Sequence, residues 1–338
     1  MCAVESSSGT ETFAPVAGVV EGHAMLARSC AFDSEEPTTM KHEATRSVYR
    51  QEPCAALRPF VRQFLVVESP VAHVDSHLPD TGMVAAFVVN GECRVSDGTT
   101  ITRSALTGLW DCARGHTHSR NNTVVIAAFT ATGASAFVRE PLDAFANRTV
   151  EMHEVLGRRS ALDRLLEQIA TAANHARRVQ ALENFLWRRL VQTLPDALVS
   201  FTVAQIEKAH GAVRIDELVR RVGLSQSALE RRFRRSVGAS PRRFASIVRL
   251  QHVVRLRAAG MDFTTIAHAA GYCDQPHFNR DFKRVAGVAP EAYFRPAEGP
   301  GAHAEERRII TSRRDSEGVV SAHGKIRHHF PAGTASAF

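Results

Sequence analysis

The sequence predicts an α+β chain. A β-rich N-terminal domain, cupin-like or a small barrel, is closed by helices. An all-α domain of two helix-turn-helix units joined by a linker helix follows. Three observations carry this expectation. Short apolar runs broken by turn residues fill 61–133. Beyond Phe137 the apolar residues recur at helical spacing. From Ile215 to Phe294 one small unit is written twice, and such an internal repeat organises the reading of the whole chain.

Residues 1–45 are polar, small and without period, so they read as a disordered tail. The first domain spans 46–194. VRQFLVVES (61–69) and GMVAAFVVNGECRV (82–95) are strand-like, and Asn90-Gly91 between apolar runs is a hairpin signal. ITRSALTGLW (101–110) and NNTVVIAAFTATG (121–133) continue the β pattern, as short strands of a sandwich or barrel do. Phe137 to Phe145 reads as helical. Leu162, Leu165, Leu166 and Ile169 form one amphipathic helix; Val179, Leu182, Phe185, Leu186 and Leu190 form another. Pro195 marks the boundary, and 197–209 leads into the second domain, 195–297. Residues 298–338 are rich in Pro, Gly, Ser and His and read as a second disordered tail.

In the repeat, two apolar residues precede a Gly by eight and five (Ile215, Leu218, Gly223; Phe263, Ile266, Gly271). A Phe follows at ten or eleven (Phe233, Phe282), then a Gly five on (Gly238, Gly287) and a Pro three after that (Pro241, Pro290). Each copy is a helix, a tight turn at the Gly and a second helix. Ser225 and Asp274 are placed to cap the second helices by accepting from their orphan amides. Leu229 and Phe233, like Phe278 and Phe282, lie four apart on one face. That is a helix-turn-helix, whose second helix enters a major groove. Between the units, 241–260 opens on Pro241 and closes on Gly260, which suits one continuous helix.

Charge separates the domains. Residues 200–297 hold 17 Lys and Arg against 8 Asp and Glu, a net +9 within a chain of net +7. Basicity confined to one region marks a polyanion-binding domain. The six Cys form no CxxC pair and read as reduced thiols. No apolar run is long enough to span a membrane, and the N-terminus has no basic leader. The expected location is therefore cytoplasmic, on the nucleoid when DNA is bound.

On these residues the span 198–295 resembles the DNA-binding domain of AraC/XylS-type transcription regulators. The second unit carries that family's signature in Ile266, Ala267, Gly271, Tyr272, Asp274, Phe278, Arg280, Phe282, Lys283, Arg284, Gly287, Pro290, Tyr293 and Arg295. It departs at Ala289, where Ser or Thr would cap the last helix. The first unit fits at Leu229, Arg231, Phe233, Gly238, Ser240, Pro241, Phe244, Arg249 and Leu250. The resemblance implies base contacts from Ser227, Glu230 and Arg231 and from Gln275, Pro276, His277 and Arg280. Arg suits guanine O6 and N7, Gln suits adenine, and Glu accepts from cytosine. Phosphate contacts would come from Arg232, Arg235, Arg242, Arg243, Lys283 and Arg284. The partners implied are double-stranded DNA, a small-molecule effector, a second copy of the chain through the helices at 160–192, and RNA polymerase. The run His77 to Gly82 resembles the L-P-D-G element of one subgroup's sensor domain, which names no effector.

No catalytic residue, cofactor or metal is assigned. There is no Ser-His-Asp order, Gly-rich phosphate loop or HExxH. His73, Asp75 and His77 alternate, as do His116 and His118, but Pro70, Pro79, Gly115 and Ser119 read as loops around them. His73 and His77 would be the ligands if a metal were held. The alternatives kept beside the regulator are a cupin-type metalloenzyme fused to a DNA-binding module and an architectural DNA binder without a ligand.

Overall fold

The structure, a computed structural model, describes residues 46–157, 159–190 and 195–295. Both expected tails lie outside these residues. The described residues begin with ten strands: β1 (Ser47–Gln51), β2 (Val61–Ser69), β3 (His73–His77), β4 (Val84–Asn90), β5 (Cys93–Val95), β6 (Thr100–Ile101), β7 (Ser104–Thr107), β8 (Arg114–His118), β9 (Asn122–Phe129) and, after two 3-10 turns, β10 (Thr149–Glu151). They form two antiparallel sheets, one of six strands in the order β1-β2-β9-β4-β7-β10 and one of four, β3-β8-β5-β6. β2 is almost wholly buried, as a central strand covered on both faces must be. Val88, Ala105 and Val124 of the larger sheet meet Cys93, Val95 and Ile101 of the smaller in one apolar cluster, so the sheets pack face to face.

Three expectations change here. Asn90-Gly91 does not close a hairpin: β4 pairs with β7 and β9, and β5 with β6 and β8. The turn, with Gly91 at φ 77°, is the corner where the chain passes from one sheet to the other. Phe137 to Phe145 is not an α-helix. It follows one 3-10 turn (Gly133–Ala136) and holds a second (Leu142–Phe145), because Pro141 interrupts the amide ladder. Finally, the two His-containing stretches are strands, not loops. β3 and β8 pair along their whole length, with Pro70 and Pro79 outside the ladder.

The helices are α1 (Met152–Leu156), α2 (Arg159–Ala170), α3 (His175–Trp187), α4 (Ala197–Lys208), α5 (Ile215–Val222), α6 (Gln226–Val237), α7 (Pro241–Ala258), α8 (Phe263–Ala269), α9 (Gln275–Ala286) and α10 (Pro290–Phe294). Leu162, Leu165 and Ile169 of α2 and Val179, Leu182 and Leu186 of α3 close over the first sheet from one side. One core then runs on without a break from Leu57 of the β domain to Phe233, Val237, Phe244 and Val248 of the first repeat unit. The second unit has its own core, built on Leu250, Val253, Ile266, Phe278 and Phe282. α7 belongs to both: its side chains up to Val248 pack in the first core and those from Leu250 in the second. A single 18-residue helix thus fixes the spacing of the units.

Candidate nucleic-acid interface

Each unit is set by the same local devices. α5 ends at Gly223, which takes φ 72° as a left-handed cap. Ser225 Oγ then accepts from Ala228 N at 3.3 Å and starts α6. In the second unit Gly271 takes φ 72°, and Asp274 Oδ1 accepts from His277 N at 2.7 Å to start α9. Gly238 and Gly287 end the two helices at φ 90° and 79°. Ser240 caps α7 by accepting from Arg243 N, and Asp262 caps α8 by accepting from Thr264 N and Thr265 N. Ala289 gives α10 no side-chain cap. Leu229 and Phe233 pin α6 from beneath, and Phe278 and Phe282 pin α9, all fully buried.

The opposite faces are left to solvent. On α6, Ser227 and Arg231 are exposed, and Glu230 is half-buried with Gln226 Nε2 at 3.5 Å from its carboxylate. On α9, Pro276, His277 and Arg280 are exposed; Gln275 is half-buried and accepts from Thr264 Oγ1 at 3.0 Å. Arg231, Arg235, Arg242, Arg280 and Lys283 are exposed and form no ion pair with another described residue. They are cations without a protein counter-charge, the state in which a phosphate or a base edge is the available partner.

Three arginines read from sequence as phosphate contacts also have partners within the protein. Arg232 places Nε and Nη2 at 2.9 and 2.8 Å from Asp196 Oδ2, the residue that also caps α4. Arg243 donates to the Asp111 carbonyl at 2.5 Å and lies 2.9 Å from its carboxylate, so it reaches the β domain. Burial, and then the neighbouring Arg284, lower its pKa. Arg284 donates to Asp281 Oδ1 at 2.7 Å, while Asp281 Oδ2 takes the buried Tyr272 hydroxyl at 3.0 Å. Beside these partners the Arg232 and Arg284 side chains stay 47% and 48% exposed.

Sequence reasoning passed over Gln226. It opens α6 as Gln275 opens α9, exposed on the outer face, and that shared position was the available signal. It also passed over the contacts with the β domain. α6 packs on the two 3-10 turns, Gln251 of α7 donates to the Pro79 carbonyl at 2.6 Å, and Ala113 N donates to the Val285 carbonyl at 2.7 Å. Leu78, from the same segment as Pro79, packs on the second unit's core. Loop-to-helix contacts of this kind leave no periodicity to read.

Comparison with known proteins agrees with this geometry. Residues 218–296 match a family described as "Helix-turn-helix domain". The chain is 33% identical over 89 residues to the HTH-type transcriptional regulator MtrA of Neisseria gonorrhoeae, covering 26% of this chain and 30% of that one. It is 33% identical over 76 residues to the HTH-type transcriptional activator RhaS of Pectobacterium carotovorum, covering 22% and 27%. It thus spans less than a third of the length of these relatives. Among solved structures, ToxT of Vibrio cholerae aligns with a TM-score of 0.39 at 13% identity, over 74% of this chain and 97% of that one. The C-terminal domain of AraT from Geobacillus stearothermophilus aligns with 0.28 at 20% identity, over 32% and 97%. Residues 218–296 thus form a helix-turn-helix domain.

Proposed function

We propose that this chain is a one-component transcription regulator that binds a specific, asymmetric DNA site through α6 and α9. The observation that carries the reading is the pair of capped helices, each with a buried aromatic underside and an unpaired arginine, Arg231 or Arg280, on its outer face. In this reading Ser227, Glu230 and Arg231 read one half-site, and Gln275, Pro276, His277 and Arg280 read another. Because the two sets differ, the halves differ in sequence. Arg235, Arg242 and Lys283 neutralise phosphates; Arg232, Arg243 and Arg284 support them from within.

The division at 195 separates a sensor domain (46–194) from the DNA-binding domain (195–297). The continuous core and the Gln251–Pro79 bond give the sensor a direct hold on α6 and α7. A small-molecule effector acts through that contact. A homodimer through α2 and α3 belongs to the same reading. Contact with RNA polymerase, a cytoplasmic location and the absence of catalysis complete the proposal. Among the described residues no helix is long and apolar enough to cross a membrane.

The test is selection of bound duplexes from random DNA by the purified chain. The expected outcome is an enriched, non-palindromic motif whose binding weakens linearly in log salt. Binding without sequence preference would refute the reading.

A further inference from the structure

The β domain holds a cluster that DNA recognition leaves unused. β3 carries His73, Asp75 and His77 at alternate positions, and β8 carries His116 and His118, so each set faces one side of its strand. The strands pair antiparallel, with His73 opposite His118 and Asp75 opposite His116. Asp75 therefore sits among four imidazoles. Its Oδ1 lies 3.2 Å from His77 Nε2, 3.5 Å from His118 Nε2 and 3.8 Å from His116 Nδ1, and its Oδ2 lies 3.9 Å from His73 Nε2. The side chain of Asp75 is 4% exposed and the imidazoles 10 to 17%.

Two donor sets share the carboxylate: His73, Asp75 and His118; and Asp75, His77 and His116. The donor atoms of each lie within 4.8 Å of one another. His73 Nε2, Asp75 Oδ1, His116 Nδ1 and both nitrogens of His118 are buried without a well-aligned hydrogen bond to a described residue. Five such atoms converge in one buried place, where a shared partner would satisfy them. Arg46 Nη1 lies 3.4 Å from Asp75 Oδ2, while Oδ1 is the oxygen nearer His77, His116 and His118. The central carboxylate would repel an anion; a cation matches the lone pairs that converge there.

We propose that His73, Asp75, His77, His116 and His118 form a site for a divalent transition-metal ion that prefers imidazole, such as Zn²⁺, Ni²⁺ or Co²⁺. Imidazole nitrogen with one carboxylate is a donor set these ions take, and Zn–N bonds of about 2.1 Å need only a modest closing of the side chains. His77 is followed by Leu78 and Pro79, which touch the second unit and α7. Any effect of the ion on DNA binding rests on the regulator reading; the site itself does not.

The experiment is a titration of the chelator-stripped full chain with Zn²⁺ and Co²⁺, followed by calorimetry and by visible absorption of the Co²⁺ complex. The expected result is stoichiometric binding with ligand-field bands of nitrogen and oxygen coordination. Asp75→Asn and His118→Gln should each weaken it about tenfold or more, with unchanged circular dichroism. His268→Gln, on the exposed end of α8, should leave it unchanged. A folded stripped chain that binds neither ion would overturn the proposal, as would full affinity in Asp75→Asn and His118→Gln. Failure to bind DNA alters none of these readings and counts against the regulator reading alone.

Discussion

Gly238 and Gly287 are the same position in the two units, and they make a controlled experiment on whether α6 is locked to the β domain. Both follow a core Phe by five residues and both take a left-handed φ, 90° and 79°. Alanine at either site incurs the left-handed penalty of about 1–2 kcal/mol. Either change also removes similar freedom from the unfolded chain, and that contribution cancels between them. What differs is space. A Cβ at Gly287 meets nothing within 4 Å, whereas at Gly238 it meets Met83 Cε at 3.0 Å and the Leu142 carbonyl oxygen at 3.1 Å. The methionine can yield; the backbone carbonyl of the 3-10 turn cannot without shifting the turn. Overpacking of this kind adds about 1–3 kcal/mol. Gly238→Ala should therefore cost more than Gly287→Ala by about that amount, read as the difference in urea unfolding at matched slope. Equal costs, or a larger cost at Gly287, would refute the docking of α6 on the β domain.

Arg231→Ala and Arg280→Ala should each weaken binding to the selected site by about 1–3 kcal/mol and relax preference at one base position, while non-specific binding changes little. Lys283→Ala should lower the slope of log affinity against log salt by about one, measured by fluorescence anisotropy, whereas Arg243→Ala should leave it nearly unchanged, since Arg243 is held by Asp111. His252, stacked on His210 at 4.1 Å, has its pKa lowered from 6.5 to about 4 by burial, then by His210 and Arg255. The unfolded chain thus takes the proton first. Stability is complete above about pH 6.5 and falls as the pH drops toward 4, and His252→Gln should flatten that part of the profile in acid titrations.

The helix-turn-helix segment was legible because its physics is local. Glycines at turns, Ser225 and Asp274 at helix starts, and aromatic residues four apart each constrain the backbone within a few residues. Their recurrence at two places made the unit plain. The β half was legible strand by strand but not in its pairing. Asn90-Gly91 has hairpin chemistry, yet the partners of β4 and β5 are fixed by distant strands that cover their apolar faces. The histidines of β3 and β8 show the same limit. Their alternation was visible, but flanking Pro and Gly suggested loops, and only the ladder between β3 and β8 brings the two sets around Asp75. Arg232 and Arg243 show a related limit. Their charge on an outer helix face is visible in sequence, but the carboxylate from another element that lies beside each, Asp196 or Asp111, is not.

The central claim is that one chain reads two different half-sites with two different helices. A base-resolution interference footprint on the selected site tests it most directly, with the wild type compared against Arg231→Ala and Arg280→Ala. The account predicts contacts in two successive major grooves, about ten base pairs apart, of unlike sequence. Each variant should lose contacts in one groove only. A footprint of two identical half-sites, or loss of the same bases in both variants, would contradict it.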